Sequence, residues 1–159
     1  MIHKMKSTRI LLAIFLCAMC IPSNLFSKNN IRFGGAFIVS DALKLSAETD
    51  LMLLHEIRPR VQQGIEISPE IGLNGGKIDI GFTRQQKWES IKIPVLRFSG
   101  ALSLIRIWRN NFEMADINRT YLGLHVKAYF LFLTLRTGYY INTNETNRSY
   151  WSTGIGIGI

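Results

Sequence analysis

The chain has 159 residues, 47% of them hydrophobic and 19% charged, with a formal charge of +8; this length holds one domain, and the composition is ordinary for a folded protein. The basic excess is spread along the chain and forms no stripe with aromatic platforms, which argues against nucleic-acid binding. A membrane protein is not excluded, because a transmembrane barrel alternates apolar and polar residues and has no need of long greasy runs.

Residues 1–27 read as a cleaved signal peptide: Lys4, Lys6 and Arg9 form a basic start, and Ile10 to Ile21 an apolar stretch too short to span a bilayer comfortably. Leu25 and Ser27 suit a cleavage site after Ser27. Loss of the leader lowers the formal charge from +8 to +5 and removes both cysteines, Cys17 and Cys20. Residues 28–159 are then free of disulfides, thiolate nucleophiles and Cys-ligated metals.

Within 28–159 the dominant signal is alternation with a period of two. Residues 31–40 place Ile31, Phe33, Phe37 and Val39 on one face, with Gly34 and Gly35 loosening the strand. In 43–54, Leu43, Leu45, Ala47, Leu51 and Leu53 oppose Lys44, Ser46, Glu48 and Asp50, although AETDLMLLHEI equally suits a short helix begun at Thr49 or Asp50. The segment 43–57 is therefore open between strand and helix, and Pro59 ends either form.

Residues 61–73 set Ile65, Ile67, Ile71 and Leu73 against Glu66, Ser68, Glu70 and Gly72, with Pro69 implying a bulge or a missing ladder bond. Asn74-Gly75-Gly76 reads as a hairpin turn built on residues that tolerate positive φ. Residues 77–85 answer with Ile78, Ile80 and Phe82 against Asp79, Gly81 and Thr83. In 90–108 the apolar parity moves from Ile91 and Ile93 to Phe98, Leu102 and Leu104, as a bulge near Pro94 would produce.

After a polar loop at 109–118, the stretch RTYLGLHVKAYFLFLTLRTGYYI holds two strands, 119–130 and 131–141, joined by a very tight turn. Leu122, Leu124, Val126, Ala128 and Phe130 oppose Tyr121, Gly123, His125, Lys127 and Tyr129; Leu131, Leu133, Leu135 and Tyr139 oppose Thr134, Arg136 and Gly138. A second polar loop, 142–149, leads to 150–159, where Trp151, Thr153, Ile155, Ile157 and Ile159 alternate with Ser152, Gly154, Gly156 and Gly158. Those glycines leave space beneath bulky neighbours, and pairing with the first strand would close the sheet.

The expected fold is all-β: an eight-stranded antiparallel up-and-down transmembrane β-barrel. One greasy face about ten residues long matches a tilted membrane strand, and in lipid closure is compulsory because no backbone group can stay unpaired. An even strand count puts both termini on the periplasmic side, with the polar loops 109–118 and 142–149 outside. Trp88, Trp108, Trp151, Tyr139, Tyr140 and Tyr150 lie near strand ends, where an aromatic girdle would sit.

In Ile91-Lys92-Ile93-Pro94-Val95-Leu96, LTLRTGYY and the final STGIGIGI the chain resembles the small outer-membrane β-barrel proteins of Gram-negative bacteria, departing from them by ending in Ile159 where an aromatic residue is usual. The resemblance implies location in the bacterial outer membrane, contact with its lipids, recognition of the terminal strand by the barrel assembly machinery, and no cofactor.

Glu66, Glu70, Asp79, His125, Lys127 and Arg136 would all face the lumen. His125 invites a comparison with barrel enzymes that hydrolyse lipids, but LHVKAY has no serine soon after the histidine. His3, His55 and His125 lack metal-site spacing. A narrow lumen filled by opposite charges is the stronger expectation: a monomeric, poorly conducting, non-enzymatic protein serving envelope integrity or surface contact. The alternatives are a soluble periplasmic barrel with its apolar faces turned inward around an apolar ligand, and a lipid-modifying enzyme using His125.

Overall fold

The computed structural model describes residues 30–88, 94–109, 115–143 and 149–158. The leader 1–27, Ile91 and Ile93, residues 110–114 and 144–148 of the two long polar loops, and Ile159 lie outside the described residues. Among the described residues eight strands form a single sheet: β1 (Asn30–Ser40), β2 (Lys44–Arg58), β3 (Val61–Gly72), β4 (Gly75–Lys87), β5 (Pro94–Ile107), β6 (Arg119–Phe130), β7 (Leu133–Asn142) and β8 (Ser149–Gly158). Each pairs antiparallel with its sequence neighbour, and β8 returns to β1, so the sheet closes into a ring. The closing seam joins Ala36–Ser40 to Gly154–Gly158.

The alternation in sequence becomes two surfaces. Phe33, Phe37, Ile65, Ile71, Leu102, Leu124, Leu135 and Ile157 stand on the outside of the ring, with Phe33 81% and Ile157 70% exposed. The facing positions Glu48, Asp50, Glu66, Glu70, Asp79, Arg97, Lys127 and Arg136 are buried inside. This inverts the usual partition of a water-soluble domain, in which charged side chains are almost never buried unless paired.

The open segment resolves as strand from Lys44, since β2 lies between β1 and β3 and is paired on both edges; Leu43, expected on the outward face with Leu45, instead belongs to the preceding turn and is buried inside at 1% exposure. Ring pairing thus overrides a sequence that suits a helix locally. At Pro69 there is no bulge: β2 and β3 keep one register on either side, but pairing lapses at Thr49 and Asp50 opposite Pro69 and Ser68. The lapse is what a residue without an N–H imposes. A bulge does occur beside Pro94, where Lys87 pairs with Pro94 but Gln86 with Leu96, leaving Val95 extra.

The turns depart from expectation at Asn74-Gly75-Gly76. None of the glycines has positive φ, and neither has Asn74. Residues 73 and 74 instead make a bend held from outside, with the Trp108 and Arg109 N–H groups donating to the Asn74 carbonyl at 2.9 and 3.1 Å. The left-handed positions fall elsewhere: Lys44 at φ 60°, Arg60 at 71°, Asn118 at 59° and Leu131 at 54°. Leu131 and Phe132 form the whole connection between β6 and β7. A left-handed non-glycine residue costs roughly 1–2 kcal/mol, offset here by a hydrogen bond from the Leu131 N–H to the Val95 carbonyl at 2.9 Å.

Two glycines have a visible packing purpose. A Cβ on Gly154 would stand 2.7 Å from Arg136 Nε, and one on Gly138 would stand 2.8 Å from the Tyr140 ring. Their bare backbone gives these large inward side chains room to lie against the ring wall.

Candidate functional site: the charged ladder inside the ring

Every second residue of each strand projects into the ring, so polar residues distant in sequence meet there. Toward the end that carries the turns at 59–60 and 131–132, Lys127 Nζ lies 2.6 Å from Glu66, 3.1 Å from Glu48 and 3.3 Å from Asp50. It also donates to Ser68 Oγ at 2.9 Å. Arg97 ion-pairs with Asp50, and its guanidinium carbon sits 3.5 Å from the Tyr129 ring centroid. The Tyr129 hydroxyl lies 2.9 Å from Glu48 Oε1 and 3.2 Å from Asp50 Oδ2. Ser99 donates to Glu66 at 2.7 Å, and Gln85 to Gln62 at 2.9 Å.

A second tier continues the ladder. Lys77 Nζ bridges Asp79 at 2.8 Å and Glu70 at 3.1 Å, and Arg136 Nη1 reaches Glu70 at 2.5 Å. Glu48 links the tiers, lying 3.7 Å from Arg136 and 4.0 Å from Lys77. His125 Nδ1 is 2.9 Å from Asp79, whose other oxygen accepts from Ser103 at 2.5 Å. Ser46 donates to Glu70, and Arg136 to Ser40 at 3.1 Å.

Above this tier the interior turns apolar. Tyr121, Tyr140 and Tyr150 pack with Ala42, Leu43, Ile105, Ile107 and Ala115. The Tyr121–Tyr150 rings meet edge-on at 5.0 Å, and Tyr140–Tyr150 stack at 5.2 Å. Tyr140 and Tyr150 are thus plug residues and do not belong to an external girdle. Trp88, Trp108, Trp151 and Tyr139 do face outward, the last two in contact at 5.2 Å.

All six charged or histidine residues expected in the lumen are buried, and they meet in three pairs: Glu66 with Lys127, Glu70 with Arg136, and Asp79 with His125. Sequence reasoning missed Glu48, Asp50, Lys77, Arg97 and Tyr129 as members. Parity held a signal for four of them: Glu48 and Asp50 lie opposite the outward Leu45 and Leu51, Lys77 precedes Asp79 by two, and Tyr129 follows Lys127 by two; Arg97 follows the bulge.

Physically, the ladder fills and braces the ring. Five carboxylates and four lysine or arginine cations are buried among the described residues; each carboxylate touches a cation, which is the condition under which buried charge is tolerated. One cavity within the ladder, lined by Lys77, His125, Arg136 and Tyr140 among others, measures about 10 Å³, the scale of one water molecule. Asp79 stands between Ser103 and His125, and among the described residues no hydroxyl is hydrogen-bonded to His125, so a serine–histidine relay has no geometry here. With the interior filled by the ladder and the tyrosine plug, purified protein in a planar bilayer is expected to give no large, steady single-channel current. Such a current would mean that the ladder opens.

No family model, curated protein or solved structure matches the chain.

Proposed function

We propose that the chain is a non-enzymatic transmembrane β-barrel of the bacterial outer membrane, exported by its leader, and that it serves envelope integrity or surface contact through loops 109–118 and 142–149. The observation that carries this reading is the outward apolar belt around a buried charged ladder. In water such a belt would be an aggregation surface far larger than soluble monomers expose; in lipid it is the required exterior. Strands of 10 to 15 residues meet the length a tilted membrane strand needs. Ring closure gives every strand a neighbour on both sides, the β1–β8 seam pairing Ala36–Ser40 with Gly154–Gly158, which reduces the backbone left unpaired toward hydrocarbon.

The soluble rival needs its isoleucines and leucines packed inward around a ligand, and their outward placement favours the membrane reading over it. The enzymatic rival needs His125 to reach lipid, whereas His125 is 2% exposed and enclosed by Lys77 and Asp79.

The test is fractionation with gel mobility. Protein from the outer-membrane fraction should resist extraction by carbonate or urea, and after detergent solubilisation it should migrate differently unheated and boiled. Release by carbonate together with identical migration would reject the proposal.

A further inference from the structure

We infer that the groove beside the β5 bulge is a binding site for one anionic phospholipid, with the phosphate between Arg60 and Lys87 and an acyl chain over Val95, Leu96 and Phe130. The inference rests on the membrane reading above and names a ligand that reading does not specify.

The groove has about 330 Å³ of space and lies at the ring end that carries the β2–β3 and β6–β7 turns. Three backbone features build it. Val95 is the extra residue of the bulge, so the β5 wall steps away from β4 there. The Val95 carbonyl accepts from the Leu131 N–H at 2.9 Å, which ties the bulge to the end of β6. The Lys87 N–H donates to the Arg60 carbonyl at 2.9 Å, which brings the two basic residues to one rim.

The lining divides by chemistry. Arg60, Gln86 and Lys87 supply polar donors, Val95, Leu96 and Phe130 an apolar wall, and Trp88, 60% exposed, stands with them. One carboxylate stands near this rim: Glu56 accepts from the Arg60 N–H at 3.3 Å and acts on Lys87 across space, but it makes no direct ion pair with Lys87 among the described residues and is outnumbered by Arg32, Arg60 and Lys87. Guanidinium and ammonium groups at one rim suit a phosphate, and an indole beside them suits the level at which headgroups meet chains. A free inorganic anion would leave the apolar wall uncovered. A zwitterionic headgroup would bring its own cation toward Arg60 and Lys87. A net-negative lipid satisfies both halves of the groove.

The test uses the full chain with Trp108→Phe and Trp151→Phe, which leaves Trp88 as the sole remaining indole of three. The protein is placed in phosphatidylcholine vesicles doped, at equal mole fraction, with dibrominated phosphatidylglycerol or dibrominated phosphatidylcholine, and bromine quenching of Trp88 is read. Quenching should report a preference for phosphatidylglycerol of about fivefold or more, since a cation near a lipid surface contributes about 1 kcal/mol. Arg60→Gln with Lys87→Gln should abolish the preference while the heat-induced gel shift persists, and added inorganic phosphate should leave it intact.

Equal quenching by the two lipids would overturn the site and leave the membrane reading standing, whereas no quenching by either would remove both. Loss of the preference on adding phosphate would reassign the groove to a free anion. If the tryptophan replacements prevent folding, native mass spectrometry of the unaltered chain decides: retained phosphatidylglycerol in excess of phosphatidylcholine supports the site, and parity rejects it.

Discussion

On the proposed membrane reading, Leu124→Arg is expected to destabilise the protein folded into vesicles by about 2–4 kcal/mol, the cost of a cation on a lipid-facing site near the midplane. Leu124 is 67% exposed at the middle of β6 and is flanked across the ladder by Leu102 and Tyr139, also outward. In water the same substitution at so exposed a site would fall within about 0.5 kcal/mol of neutral. Medium, not packing, therefore decides the outcome. Thr120→Arg, on the same face but beside Arg106 at the end of the strand, supplies the depth control and should cost about 0–1 kcal/mol. Urea titration of protein folded into vesicles, followed by tryptophan fluorescence, measures both. Two near-neutral results would mean that the isoleucines and leucines of the belt meet water.

The parts of this fold legible beforehand are those where period-two alternation is unbroken. In β6 and β7 the inward set His125, Lys127, Thr134 and Arg136 follows from parity alone, because a strand that turns Leu124 outward must turn its neighbours in. Three features were less legible, each for its own reason. Glu48 and Asp50 sit in a segment whose composition also suits a helix, and only the two flanking strands decide the matter. Arg97 follows the bulge; the bulge was readable at Pro94, but its effect on the next inward position depends on which residue is extra, and Val95 is fixed only by the β4 register. Tyr139 and Tyr140 are adjacent and so cannot share a face, which a girdle assigned by position along the chain overlooks. The Asn74-Gly75-Gly76 turn failed in the opposite sense: residues able to adopt positive φ do not adopt it, because hydrogen bonds from the β5 end hold the bend.

The ladder itself is tested most sharply at Lys127. Lys127→Met keeps the unbranched side chain short of its last atom and removes the one ammonium shared by Glu48, Asp50 and Glu66. Breaking a buried charge network by deleting one partner costs about 3–5 kcal/mol, because the remaining carboxylates stay buried without compensation. The three are not left equal. Asp50 keeps Arg97, and Glu48 keeps Arg136 at 3.7 Å and Lys77 at 4.0 Å. Glu66 keeps no direct ion pair among the described residues: the Ser68 and Ser99 hydroxyls hold it at 2.9 and 2.7 Å, and Arg97 acts on it only across space. Adding Glu66→Gln to Lys127→Met should therefore recover more stability than adding Glu48→Gln, with a coupling of about 0.5–3 kcal/mol between positions 66 and 127. Urea midpoints of the single and double variants in vesicles give the comparison, and the temperature at which the gel shift occurs gives a second reading. If Lys127→Met unfolds at the same urea concentration as the parent, the carboxylates are hydrated and the interior is an open channel; if the two double variants recover equally, the charge of Lys127 is shared by the whole ladder and not held chiefly by Glu66.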